Sequence, residues 1–161
     1  MEFRITPEEV DARLRAAGWT PGRDAGPEAA ALADEIAAAL TANGYEVTPF
    51  PAAVEFIREF AFLEVPHPDE PNAEKGISFT VRYFDEDSAE SVSELSEWAE
   101  QPLFPVAFDR SEFALALIDP LGRFYLTHWS GDYYLGKNRY EAFACLFMGD
   151  HFDLTEMPSD S

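Results

Sequence analysis

Phe113-Ala114-Leu115-Ala116-Leu117-Ile118-Asp119-Pro120-Leu121-Gly122-Arg123-Phe124-Tyr125-Leu126-Thr127-His128-Trp129 reads as two strands joined by a tight turn. Asp119, Pro120 and Gly122 stand where a type I turn favours Asp, Pro and Gly. The flanking runs, Phe113 to Ile118 and Arg123 to Trp129, are apolar and of strand length. Upstream, Phe104 to Phe108 reads as a further strand. Ile77-Ser78-Phe79-Thr80-Val81-Arg82-Tyr83 alternates with period two, as a strand with one buried face does. These pieces predict a mostly antiparallel meander. Between the first two of them, Ser91 and Glu94 can cap a short helix that carries Val92, Leu95, Trp98 and Ala99 inward. Downstream, Asn138 to Met148 places Tyr140, Phe143, Ala144 and Phe147 on one side of a closing helix.

The N-terminal third has a helical period instead. Thr6-Pro7-Glu8-Glu9 is a capping box, and Val10, Leu14 and Ala17 follow on one face, closed by Gly18. Pro27 opens a second helix with Leu32, Ile36 and Leu40 inward, stopped at Asn43-Gly44. Pro51 opens a third, in which Ala53, Phe56, Ile57 and Phe60 recur at helical spacing. Pro66, Pro68 and Pro71 with Asp69 and Glu70 read as a loop rather than a strand. The fold class expected is therefore α+β: N-terminal helices packed on a mostly antiparallel sheet, with an inserted acidic helix and a closing C-terminal helix. Residues 1–156 form one domain in this reading, and residues 157–161 a frayed acidic tail.

Bulk properties narrow the function. The chain has 161 residues, 31 Asp+Glu against 11 Lys+Arg and a net charge of −20. Such a field repels nucleic acid and anionic membrane and attracts basic partners. Its general benefit is solubility, which by itself accounts for acids on a surface. No apolar run approaches the roughly 20 residues that span a bilayer, and the start lacks the regions of a secretory signal. One cysteine, Cys145, excludes an internal disulfide and fits a reducing, cytoplasmic setting.

Chemistry finds little to work with. Cys145 sits between Ala144 and Leu146, where a cysteine serves as a small core residue. No serine lies in a Gly-x-Ser-x-Gly frame, and no glycine-rich phosphate loop exists. His67, His128 and His151 have no paired helical spacing. Asp85-Glu86-Asp87 lacks the order of a calcium loop, so a metal-assisted hydrolase built on Asp85, Asp87 and a histidine rests on a generic pattern. Acids are so abundant that a carboxylate pair for glycoside hydrolysis carries no information. The reading is of a non-enzyme without cofactor or metal.

Two stretches suit recognition. From Tyr83 to Asp109 there is no Lys or Arg, while Glu90, Glu94 and Glu97 fall on one helical face that Asp85, Glu86 and Asp87 extend. Like charges at that spacing oppose helix formation by a few tenths of a kcal/mol each; either solvation alone tolerates them or a basic partner uses them. His128-Trp129-Ser130-Gly131-Asp132-Tyr133-Tyr134 is the second stretch, with Trp129, Asp132, Tyr133 and Tyr134 as contact candidates. Trp and Tyr anchor interfaces and equally line core edges.

Assembled in order, several segments resemble the third subgroup of the SUKH superfamily. Leu14-Arg15-Ala16-Ala17-Gly18-Trp19-Thr20-Pro21-Gly22-Arg23 is similar to its opening signature. Ala53 to Phe60, Pro105-Val106, Ile118-Asp119-x-x-Gly122-Arg123-x-Tyr125, Leu135-Gly136, Tyr140-Glu141-Ala142 and Gly149 continue it. The resemblance implies an immunity protein that binds a cognate polymorphic toxin, a basic nuclease or deaminase; with the acidic helix, the expected mechanism is occlusion of the toxin's active site. The alternative is a regulatory interaction scaffold with no toxin partner. The resemblance supplies no catalytic residue, and Trp19, Gly22 and Arg23 look architectural within it, with ligand contact by Arg23 the other option. Ala61-Phe62 departs from the pattern, since glycines are expected after the third helix, so a different turn is expected there.

Overall fold

Proline and side-chain caps set the helix starts in the computed structural model, which describes residues 1–67, 75–82 and 84–158. Helix α1 (Pro7–Ala16) begins where the Thr6 hydroxyl accepts from the Glu9 amide. Helix α2 (Gly26–Ala42) has Pro27 in its first turn and ends at Asn43. Helix α3 (Pro51–Phe60) buries Ala53, Phe56, Ile57 and Phe60, the stripe read from the sequence. Trp19 and Arg23 tie the first turn region to α3. The Trp19 indole donates to Glu59 at 2.8 Å, and the Arg23 guanidinium donates to the carbonyls of Glu59 and Ala61 at 2.6 and 2.8 Å. Those carbonyls are orphans of the helix end, so Arg23 holds architecture. Phe62 then takes a φ of 72°, the left-handed shape for which glycine is expected, and packs against the core. The turn thus has a glycine-like backbone despite its side chain.

Among the described residues, seven antiparallel strands follow as a meander in sheet order β1 to β7. They are β1 (Glu64–Pro66), β2 (Gly76–Ser78), β3 (Phe104–Asp109), β4 (Ala114–Ile118), β5 (Phe124–His128), β6 (Gly131–Gly136) and β7 (Phe152–Asp153). Helix α4 (Glu86–Ala99) is inserted between β2 and β3, and α5 (Arg139–Met148) between β6 and β7. The α+β architecture expected from the sequence is the one observed. Pairing of Leu115 with Thr127 and of Leu117 with Tyr125 puts these four on one sheet face. Ala116, Leu126, Ile118 and Phe124 share the other. There the Phe124 ring lies 5.5 Å from Phe56 of α3, and Phe56, Phe60, Phe79 and Phe143 of α5 pack into one aromatic cluster. Helix α4 packs on β5 from the opposite side.

Several expectations need correction. The strand read from Ile77 to Tyr83 stops at Ser78; Tyr83 is outside the described residues. The Ser78 hydroxyl donates to Glu64 and accepts from the Thr80 amide, a local bond that competes with the ladder. Ile77, Phe79 and Val81 remain buried all the same. Pro66 closes a short edge strand, where a missing N–H is tolerated, while Pro68, Asp69, Glu70 and Pro71 lie outside the described residues. Helix α4 starts at Glu86, not near Ser91, because Asp85 and Ser88 form a reciprocal capping box. Trp98 points outward with 53% exposure. It follows Ala89 by nine residues, about half a turn around the helix. Strands β6 and β7 and a 3-10 turn at Leu154–Glu156 were not anticipated. Of the supposed frayed tail, Met157 packs against the core; residues 159–161 lie outside the described residues.

Candidate protein-interaction surface

The acidic helix is built to start where its charges are tolerated. The Asp85 carboxylate accepts from the Ser88 amide at 2.8 Å, and the Ser88 hydroxyl accepts from the Asp85 amide at 2.9 Å. These bonds hold the Asp85 carboxyl below its usual range. Glu86 and Asp87 occupy the first turn, where negative charge meets the positive end of the helix dipole. Further along that reasoning fails. Glu90, Glu94 and Glu97 are all exposed, and the Glu94 carboxyl is pushed up, first by its hydrogen bond with Glu90 and that group's charge, then by desolvation and the charges of Asp132 and Glu97. Asp132 of β6 has therefore joined the helix acids across the fold. It is held by the Thr127 hydroxyl, which donates to it at 2.8 Å. With its neighbour Trp98, this patch carries four acids and an exposed indole.

At the N-terminal end of α4 the surface becomes a groove. Two hairpin tips form its far wall: Trp129 between β5 and β6, 87% exposed, and Phe113 between β3 and β4, 77% exposed. Asp85, Asp87, Ser88 and Ser91 line the helix side, with Phe108 and Leu115 on the sheet, in a volume of about 420 Å³. No Lys or Arg lines it. Phe113 pairs edge-on with Phe108, ring centroids 6.1 Å apart.

The expected contact residues separate into three groups. Asp85, Asp87 and Trp129 meet at the groove; Glu90, Glu94, Glu97 and Asp132 form the adjoining patch, and Glu86 is exposed beside them. Tyr133 faces the opposite side of the sheet, its ring 4.0 Å from His151 and its hydroxyl 3.0 Å from Ser130. Tyr134 is corrected outright: its exposure is 0%, because it pairs with Tyr125 on β5 beneath the α4 side. An alternating strand sends adjacent tyrosines to opposite faces, and the stretch from His128 to Tyr134 does not show in its sequence pattern that β6 is a strand. Phe113 was missed as a surface residue. It begins an apolar run, and nothing in the pattern separates it from Ala114.

Other chemistry is sparse on this side. Among the described residues no three His, Cys, Asp or Glu side chains come together as a metal site. Asp85 and Asp87 share the groove with His128, whose Nδ1 accepts from the Ser130 amide at 3.2 Å. Cys145 is buried in α5, its thiol donating to the Leu135 carbonyl at 3.3 Å. Burial pushes that thiol up to about 12, so it stays protonated and unreactive at neutral pH. No helix among the described residues is long and apolar enough to cross a membrane.

An inserted acidic helix beside two exposed aromatic hairpin tips is the surface that these elements build. The family model for the SUKH-3 immunity protein matches residues 6–149, and the chain belongs to that family. Searches of curated proteins and of solved structures returned no match.

Proposed function

We propose that this chain is the immunity partner of a polymorphic toxin and that it neutralises the toxin by covering a basic active-site cleft. Family membership supports the immunity role. The observation that carries the mechanism is the exposed acidic face of α4, Glu90, Glu94 and Glu97 following Glu86 and Asp87 of its first turn, with Asp132 of β6 close enough to act on Glu94. A nuclease or deaminase that handles nucleic acid presents a basic cleft, and this patch presents the complementary potential. Such complementarity speeds encounter and selects the partner. Inhibition then needs occlusion and no chemistry, and it would operate in the cytoplasm of the producing cell.

The test is co-expression with the C-terminal domain of the large protein encoded beside it. We expect growth to be restored against a domain that is toxic alone, and the purified pair to associate at a rate that falls steeply with salt. The triple variant Glu90→Lys, Glu94→Lys, Glu97→Lys should slow association roughly tenfold or more at low salt, with its circular dichroism unchanged. Rescue by this variant with an unaltered association rate would remove the patch from the mechanism. A chain that captures a cellular protein and rescues no toxin would instead be a regulatory scaffold.

A further inference from the structure

Two large aromatic side chains in solvent at neighbouring hairpin tips demand a reason, and one of them is held there against backbone preference. Phe113 has a φ of 54°, in the left-handed region where a bulky residue is an outlier and glycine is usual at the end of such a loop. Two other non-glycine residues share that conformation. Phe62 is compensated by packing against the core. Glu100 is the C-cap of α4, a position that commonly takes this shape. Phe113 is neither buried nor a helix cap: it is 77% exposed, with its ring against the edge of Phe108. Strain of this kind concentrates at functional positions.

Resting on the reading of the chain as a toxin-binding protein, we propose that the groove between Phe113, Trp129 and the first turns of α4 receives an arginine side chain of the toxin. Charge selects a cation, because the carboxylates lining the groove are Asp85 and Asp87, no Lys or Arg lines it, and the His128 ring that borders it is engaged by Ser130. The positive end of α4 is already met by Asp85, Glu86 and Asp87, so the helix does not repel it. The aromatic walls favour guanidinium over ammonium. A planar, weakly hydrated guanidinium stacks on Trp and Phe faces while its forked donors reach carboxylates. Phe108 and Leu115 offer an apolar floor for the methylene stem. The two hairpin tips form one wall of the groove, and α4 forms the other and supplies its charge.

The first probe is N-acetyl-arginine amide, titrated to ~10 mM, a range in which even millimolar affinity registers. The readout is the Trp129 indole N–H resonance, with the uncharged citrulline analogue as control. A saturable shift is expected with arginine and not with citrulline, lost in Asp87→Asn. Equal shifts for both compounds, or none with either, would overturn the proposal. The second arm uses the toxin that the full chain neutralises. Phe113→Gly should leave the midpoint of unfolding unchanged or higher, since glycine relieves the strain, yet weaken toxin binding roughly tenfold; Trp129→Ala should do the same to binding. If both variants bind the toxin as tightly as the native chain, the groove is not the arginine site although the immunity role stands. If the native chain protects against no toxin, that role itself falls.

Discussion

Asp119 shows what one residue holds together. It has 0% exposure, and its carboxylate accepts four hydrogen bonds: the Leu121 and Arg123 amides on one oxygen, the Arg123 guanidinium at 2.7 Å and the Tyr125 hydroxyl at 2.8 Å on the other. The turn, a partly buried cation and a core phenol therefore share one acceptor. Burial, and then the Asp119 charge, push the Tyr125 phenol far above its usual range, so it remains the donor. Replacing Asp119 with Ala strands all four donors at once, and we expect a loss of about 3–5 kcal/mol in denaturant unfolding. The motif Ile118-Asp119-x-x-Gly122-Arg123-x-Tyr125 was legible in the sequence as a turn and a family mark. Its convergence on one carboxylate was not, because that needs the two strands in register.

At the scale of the element, α4 carries acids that its dipole favours at one end and that oppose one another further along. Its first turn is acidic where the dipole favours acids, but Glu90, Glu94 and Glu97 repel one another and Asp132. Glu94 is raised in the folded state, so the native protein holds its proton more tightly than the unfolded chain does. Stability linked to this group is then present below its unfolded pKa and lost as pH rises through the folded value. Glu94→Gln should accordingly raise the melting midpoint at pH 7, and the advantage should vanish as the pH falls through the carboxylate range. A midpoint lowered by Gln at neutral pH would show that the acids are not in conflict. The helix and its acidic face were readable from the i, i+4, i+7 spacing. Its start was not, because Ser91 and Glu94 suggested one cap while Asp85 and Ser88 formed another.

For the whole molecule, the charge of −20 gives folding and binding opposite responses to salt. Screening relieves self-repulsion, so added NaCl should raise the melting midpoint of the free protein in calorimetry. The same screening should slow association with a basic partner. If salt lowered both, net charge would not be what limits stability.

The sequence by itself determined the helical N-terminal third, the α+β class, the turn at Asp119 and the presence of an acidic helix. Each is written in local spacing: caps, prolines, a period of 3.6 or 2, and turn residues at fixed offsets. Only the tertiary structure decided that Tyr134 is core while Trp129 is surface, that Asp132 joins Glu94, and that Phe113 and Trp129 flank one groove. Those facts depend on which strand pairs with which and in what register, and a one-residue change of register reverses every face. Composition shows only the excess of acid. The meander alone brings two hairpin tips beside the start of α4.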